Sequence, residues 1–166
     1  MKISLFEIQL YILYFRLILL NKLLEDGNTL FKKNKLSEAS QRYQYAAKRV
    51  PSTHQGDHNK KVFDQLKIHL LLNLCRCKRK MQDYKEAIKV ATEVIENHPT
   101  CYQAFHARAK AHHNAGHLDH ALHDLTEAVR VAPQNRELHK ILITLKKEIQ
   151  SAREGKEEDD CESASK

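Results

Sequence analysis

The sequence predicts an all-α chain of three helical hairpins, on three observations. Glycine and proline are scarce, four and three in 166 residues, while long stretches are rich in Ala, Leu, Lys, Glu and Gln, all good helix formers. Apolar residues recur at three- and four-residue steps and rarely in the alternation that a half-buried strand needs. The chain also repeats itself. DYKEAIKVATEVIENHP ends at Pro99 and HLDHALHDLTEAVRVAP at Pro133, 34 residues later, and Ala121 follows Ala87 by the same step. An earlier copy, KLSEASQRYQYAAKRVP, places Ala39 and Pro51 48 residues ahead of Ala87 and Pro99, one period plus fourteen extra residues at both markers. A fixed period with a constant offset is the signature of stacked repeats.

Residues 1–19 open the chain as an apolar helix. Ile3 to Leu20 is apolar enough to weigh as a membrane segment, and Lys2 precedes it. Glu7, Gln9 and Arg16 interrupt it, and no small-residue cleavage site follows. Either charge near a bilayer centre costs roughly 2.5–3.5 kcal/mol on insertion scales. The stretch is therefore expected to run into the first repeat as a helix, with membrane association through residues 1–20 the less favoured reading.

The repeats then occupy residues 20–133, as approximate units 20–53, 68–101 and 102–135 with an insertion at 52–67. In the first, helix A carries Leu23, Gly27 and Leu30, the turn falls at Asn34-Lys35, and helix B carries Ala39, Tyr43 and Ala46. The second has Leu71, Leu74 and Cys75, then Tyr84, Ala87, Ala91 and Val94. The third has Phe105, Ala109 and His112, a turn at Gly116, then Leu118, Ala121, Leu125 and Ala128. Small residues (Gly27, Cys75, Ala109; Ala39, Ala87, Ala121) fall where two helices of a hairpin approach closely, and larger apolar ones give one buried stripe per helix. Each proline ends a helix B, because its ring cannot continue the hydrogen-bond ladder. The insertion splits into a polar loop, Ser52 to about Asn59, expected to be the mobile and protease-sensitive part, and an early start to the next helix A. A capping helix over 134–153 follows the repeats, with Leu138, Ile141, Leu142, Leu145 and Ile149 on one side. Repeat arrays need such a helix to cover the last apolar face. The tail, 154–166, holds six acids and two lysines and is expected to be disordered.

This pattern resembles the tetratricopeptide repeat, over roughly Leu20 to Pro133, with the family's early tryptophan replaced by Leu23, Leu71 and Phe105. The resemblance implies an all-α right-handed superhelix whose A helices line a concave groove for a peptide. Once the packing stripes are assigned, the groove side holds Leu24, Asn28, Phe31 and Lys32 in the first repeat. It holds His69, Leu72, Asn73, Arg76, Arg79 and Lys80 in the second, and Gln103, His106, Lys110, His113 and Asn114 in the third. The chain's net charge is +7, and without the tail it carries 26 basic and 15 acidic residues, a net +11. A basic groove with apolar spots suits an extended partner segment that carries Asp or Glu between hydrophobic anchors.

A subset of tetratricopeptide domains grips the C-terminal EEVD of cytosolic heat-shock chaperones with two asparagines and three cations. The asparagine positions are kept here as Asn28 and Asn73, but the cation positions are Leu24, Gln103 and Ala107. The sequence therefore predicts no tight EEVD binding, and a co-chaperone-like receptor is the second reading. Weak, sequence-blind RNA binding through the basic body is the third, since Phe31 is the groove's lone aromatic and stacking platforms need several.

Other chemistries find little support. His106, His112, His113, His117, His120 and His123 crowd the third repeat, but ligands must converge on one point, and Gly116 separates His113 from His117. No metal or cofactor is expected. There is no Gly-rich phosphate loop, nucleophile elbow or paired-carboxylate constellation, and Cys75 and His69 lie on different helix sides, so no enzyme is expected. Cys75, Cys77, Cys101 and Cys161 follow no disulfide framework, which suits reduced thiols in the cytoplasm.

The stretch AFHARAKAHHNAGHLDHALHDLTEAVRVAPQNREL, with LLNLCRCKRKMQDYKEAI before it, resembles the C-terminal tetratricopeptide region of the TANC and rolling-pebbles scaffold family. That resemblance, over about Leu23 to Gln150, implies a cytoplasmic adaptor, cortical or submembrane in placement. Two departures stand against a full carry-over: no ankyrin repeats are present, and the chain ends Ser-Ala-Ser-Lys where some members end in a motif for PDZ domains.

Overall fold

The computed structural model describes residues 4–51 and 59–164. The described chain is helical throughout, with no strand: α1 Leu5–Lys32, α2 Leu36–Ala47, α3 Lys60–Lys80, α4 Tyr84–Asn97, α5 Tyr102–Asn114, α6 Leu118–Val131 and α7 Arg136–Ala164. The polar loop expected to be mobile lies, from 52 to 58, outside the described residues. The chain divides into two compact units, Met1–Val90 and Ala91–Lys166, with the boundary inside α4.

Each hairpin turns by the same device. Asn34, Gln82 and Gly116 have positive φ, at 58°, 63° and 80°, and they stand 48 and 34 residues apart, the same offsets as the alanine and proline markers. At each, two backbone bonds close the end of helix A: Asn34 N–H to Phe31 O and Lys35 N–H to Leu30 O, Gln82 N–H to Arg79 O and Asp83 N–H to Lys78 O, Gly116 N–H to His113 O and His117 N–H to His112 O. This paired pattern satisfies carbonyls that the helix end leaves open. In the second hairpin Asp83 then starts helix B, its carboxylate accepting from Glu86 N–H at 3.4 Å and pairing with Lys78 at 3.3 Å.

In the first unit α2 packs between α1 and α3. Ala39, Ala46 and Tyr43 of α2 are buried with Leu20 and Leu23 of α1 and with Phe63, Leu70, Leu74 and Cys77 of α3. Gly27 is required by Tyr43: a Cβ there would stand 2.5 Å from the ring carbon Cε1, well inside contact distance. α1 itself continues unbroken from the apolar stretch into the first repeat, starting in a capping box in which Ser4 Oγ accepts from Glu7 N–H and the Glu7 carboxylate accepts from Ser4 N–H.

In the second unit α6 packs on α5 and α7 on α6. Phe105, Ala109, Ala121, Leu125 and Ala128 form a buried cluster with Leu138, Leu145 and Ile149 of α7, and Ile141 and Leu142 lie half-buried against it. Asn135 starts α7 by accepting from Glu137 N–H and Leu138 N–H. The helix is unbroken as far as Ala164, past Glu154, from which the acidic composition predicts a disordered tail. Glu is the commonest residue of that extension, at four of its eleven positions, and its propensity favours a continued helical ladder.

Candidate functional site

The chemistry-bearing cluster of the first unit lies where α1 and α3 run side by side. Asn28 on α1 is half-buried, and its Oδ1 accepts from the Tyr43 hydroxyl at 2.8 Å and from Asn73 Nδ2 on α3 at 3.4 Å. Burial pushes the Tyr43 phenol up to about 12, Cys77 adding and Arg76 opposing, so it remains a donor. That bond fixes the Asn28 amide, and through it the Asn28–Asn73 pair that joins the two helices.

One turn further along, Phe31 presents its ring to α3. The Arg76 guanidinium lies over it at 4.1 Å from the centroid and Lys80 Nζ at 4.8 Å. Asn73, Arg76 and Lys80 follow one another at three- and four-residue steps, which places them on one face of α3. Both cations are exposed, so the ring orders them without removing them from water, as a cation–π contact does at a surface. Sequence reasoning takes Phe31 as an apolar anchor for a ligand; the structure uses its face to seat two of the protein's own cations. Lys32 and His69 are exposed beside this cluster, and Leu72 and Arg79 are half-buried. Arg79 approaches Cys75, whose thiol burial nevertheless pushes up to about 11. Cys77 is raised to about 11 by the same cause. Neither thiol is a nucleophile at neutral pH.

The third-repeat candidates, Gln103, His106, Lys110 and His113, all stand on α5 in the second unit. Gln103 and Lys110 are exposed and His106 is half-buried. Gln103 Oε1 accepts from the Cys101 thiol at 3.5 Å. His113 faces α7, its Nε2 at 2.9 and 3.1 Å from the two oxygens of Glu148, an acidic partner that α5 alone does not reveal.

One polar constellation of this unit escaped the sequence reading. Arg108 on α5 binds Asp124 on α6 in a two-pronged pair, Nε to Oδ2 at 2.8 Å and Nη2 to Oδ1 at 2.7 Å, and its Nη1 donates to Thr92 Oγ1 at 3.1 Å. Asp124 is 2% exposed. His112 Nε2 stands 3.9 Å from the same carboxylate, and the rings of His112, His117 and His120 form a triangle with centroids 5.0–6.0 Å apart. Desolvation holds the His112 pKa below its ordinary value, against the pull of Asp124 and with help from His120, Arg108 and His117. Among the described residues no group of three or more His, Cys, Asp or Glu side chains is arranged to hold a metal ion. The signal that could have found the pair is Asp124 itself, an acid set in the stripe of Ala121, Leu125 and Ala128.

Comparison with solved structures decides the fold. The C-terminal TPR-containing domain of a putative FK506-binding protein from Plasmodium falciparum superposes with a TM-score of 0.65 at 26% identity, covering 84% of this chain and 93% of that one. This is a tetratricopeptide-repeat fold. The same fold is seen in the first TPR of Spaghetti (RPAP3) bound to the HSP90 peptide SRMEEVD, with a TM-score of 0.60 and 19% identity, covering 79% of this chain and 93% of that one. Among curated proteins, aryl-hydrocarbon-interacting protein-like 1 of Bos taurus is 27% identical over 134 residues, 78% of this chain but 41% of that protein. The chain thus spans well under half of that relative's length. No family model matches the chain. Within the tetratricopeptide fold, Asn28, Phe31 and Lys32 belong to the first helix A, His69 to Lys80 to the second, and Gln103 to His113 to the third.

Proposed function

We propose that this chain is a non-catalytic protein-interaction module, an adaptor that binds an acidic partner segment on the helix-A surface of its first two repeats. One observation carries the reading: Asn28 and Asn73 are held together as a polar pair beside Arg76 and Lys80, which Phe31 holds in place. Amides that can both donate and accept suit a peptide main chain, and the ordered cations suit its carboxylates. Leu72 and the edge of Phe31 offer the apolar contact. In the second unit, Gln103, His106, Lys110 and His113 of α5 are the candidates for partner contact.

The scaffold identity suggested by the resemblance to TANC and rolling-pebbles proteins belongs to this reading, with a cytoplasmic, cortical placement; the free cysteines Cys75, Cys77 and Cys101 fit a reducing compartment. A co-chaperone-like receptor is the second reading. It is favoured by the retained Asn28–Asn73 pair and by the Spaghetti domain, whose fold this chain shares and whose bound ligand is an HSP90 peptide. The missing cations at Leu24, Gln103 and Ala107 weigh against a tight version of it.

Titration calorimetry on the full chain tests both. The probes are SRMEEVD and a panel of acidic peptides carrying apolar anchors, each with wild type and with Arg76→Glu/Lys80→Glu. Binding by panel peptides that weakens with salt and falls at least tenfold in the variant supports the acidic-segment reading. Low-micromolar affinity for SRMEEVD moves the assignment to the chaperone reading. Unchanged binding in the variant removes the site from α1 and α3.

A further inference from the structure

The N-terminal half of α1 carries an apolar face that the first unit leaves uncovered. Ile8, Tyr11, Ile12, Phe15, Ile18 and Leu19 are 46–72% exposed, and Tyr14 beside them is 65% exposed. On the opposite side Leu10 is also 46% exposed, and packing begins at Leu13, with Leu13 and Leu17 half-buried and Leu20 buried. This is too much contiguous apolar surface to be the scattered exposure of an ordinary monomer.

The face has an internal order. Ile8, Tyr11, Phe15 and Ile18 are spaced three, four and three residues apart, the a and d positions of two heptads, with Ile12 and Leu19 alongside. It begins just after the capping box at Ser4 and ends at Lys22. It is also self-complementary. When two such helices run antiparallel about a two-fold axis level with residue 13, Ile8 of one copy meets Ile18 of the other, and Tyr11 meets Phe15. These are the a-to-d layers of an antiparallel coiled coil, aliphatic on aliphatic at the ends and aromatic on aromatic at the centre. An isologous contact requires this kind of match.

We propose that this face pairs with the same face of a second copy of the chain, as an antiparallel helix pair. Three arguments select that occupant. First, covering six such side chains on each copy removes on the order of 1,200 Å² from water, where specific interfaces begin. Second, the orientation separates charge: each copy carries a net +7, and antiparallel pairing sends the two basic bodies to opposite ends, whereas parallel pairing would set them side by side. Third, no described helix is long and apolar enough to cross a membrane, and Arg16 at the edge of the face reaches water in a helix pair. The helix is already formed and capped before it docks, so little ordering accompanies association.

Sedimentation velocity on the full chain at about 5 to 100 μM, with wild type beside Tyr11→Glu/Phe15→Glu, tests the pairing. Both replaced side chains are exposed, so circular dichroism of the variant should match wild type. The proposal requires a two-chain species in wild type that the variant reduces to one chain. Orientation is read by oxidative cross-linking in a Cys101→Ser/Cys161→Ser background. Antiparallel pairing links an Ile8→Cys chain to an Ile18→Cys chain when the two are mixed, and links neither to itself. A wild type that stays monomeric throughout overturns the proposal, and so does co-flotation of that monomer with phosphatidylcholine–phosphatidylserine vesicles, which would assign the face to lipid. Self-linking of Ile8→Cys alone overturns the antiparallel arrangement.

Discussion

Gln82 occupies a backbone conformation that favours glycine. Its φ of 63° costs an L-residue with a Cβ roughly 1–2 kcal/mol, and the equivalent turn of the third hairpin has Gly116. Gln82→Gly should therefore raise the stability of the chain by about 1 kcal/mol, the relief of strain being partly offset by a more flexible unfolded chain; urea denaturation reads it directly. His112 makes a prediction in pH. Its pKa is lowered in the folded chain by desolvation, so the unfolded chain binds a proton that the folded one resists. Stability from this source is complete above about pH 7 and falls as pH drops below the unfolded value near 6.5. His112→Gln removes that proton, and the loss of stability between pH 7 and pH 5.5 should be smaller in the variant than in wild type.

At the level of elements, α7 contributes Leu138, Leu145 and Ile149 to the cluster that Phe105 and Leu125 begin. Its early part is therefore structural, while Arg153 reaches only an exposed pair with Asp119 at 3.5 Å. Ending the chain after Asn135 should uncover that cluster and cost several kcal/mol at about 25 cal/mol per Å², seen as a lower thermal midpoint and lost helicity. Ending it after Arg153 should leave the midpoint unchanged. The hairpin turns show how much of an element its sequence declares. Asn34 and Gly116 announce themselves, since both residue types tolerate positive φ. Gln82 does not, and only the 34- and 48-residue register places a turn there.

Across the whole molecule, periodicity made the fold legible before any coordinate: two helices per repeat, the prolines beyond α2, α4 and α6, and the stripe of α7 all follow from spacing. The candidate surface was legible as a list and less so as an arrangement. Counting helical steps puts Asn73, Arg76 and Lys80 on one face, but whether Phe31 meets a ligand or the protein's own cations depends on how α1 lies against α3, which no local spacing encodes. The Arg108–Asp124 pair was hidden for the same reason, its members standing sixteen positions apart on different helices. Breaking such a pair leaves one buried charge alone, so it belongs to the stability of the second unit as much as any apolar contact does.

The seat that Phe31 gives to Arg76 and Lys80 has a consequence for how an acidic segment would be received. A carboxylate in the same place would hold the two cations equally still, but it would cancel their charge and have to be displaced. An aromatic face carries no net charge. It restrains both side chains through its quadrupole and leaves their full positive potential pointing at solvent. A newcomer therefore competes only with mobile salt ions, and the rotamer freedom that binding normally extinguishes in arginine and lysine has in part been given up already.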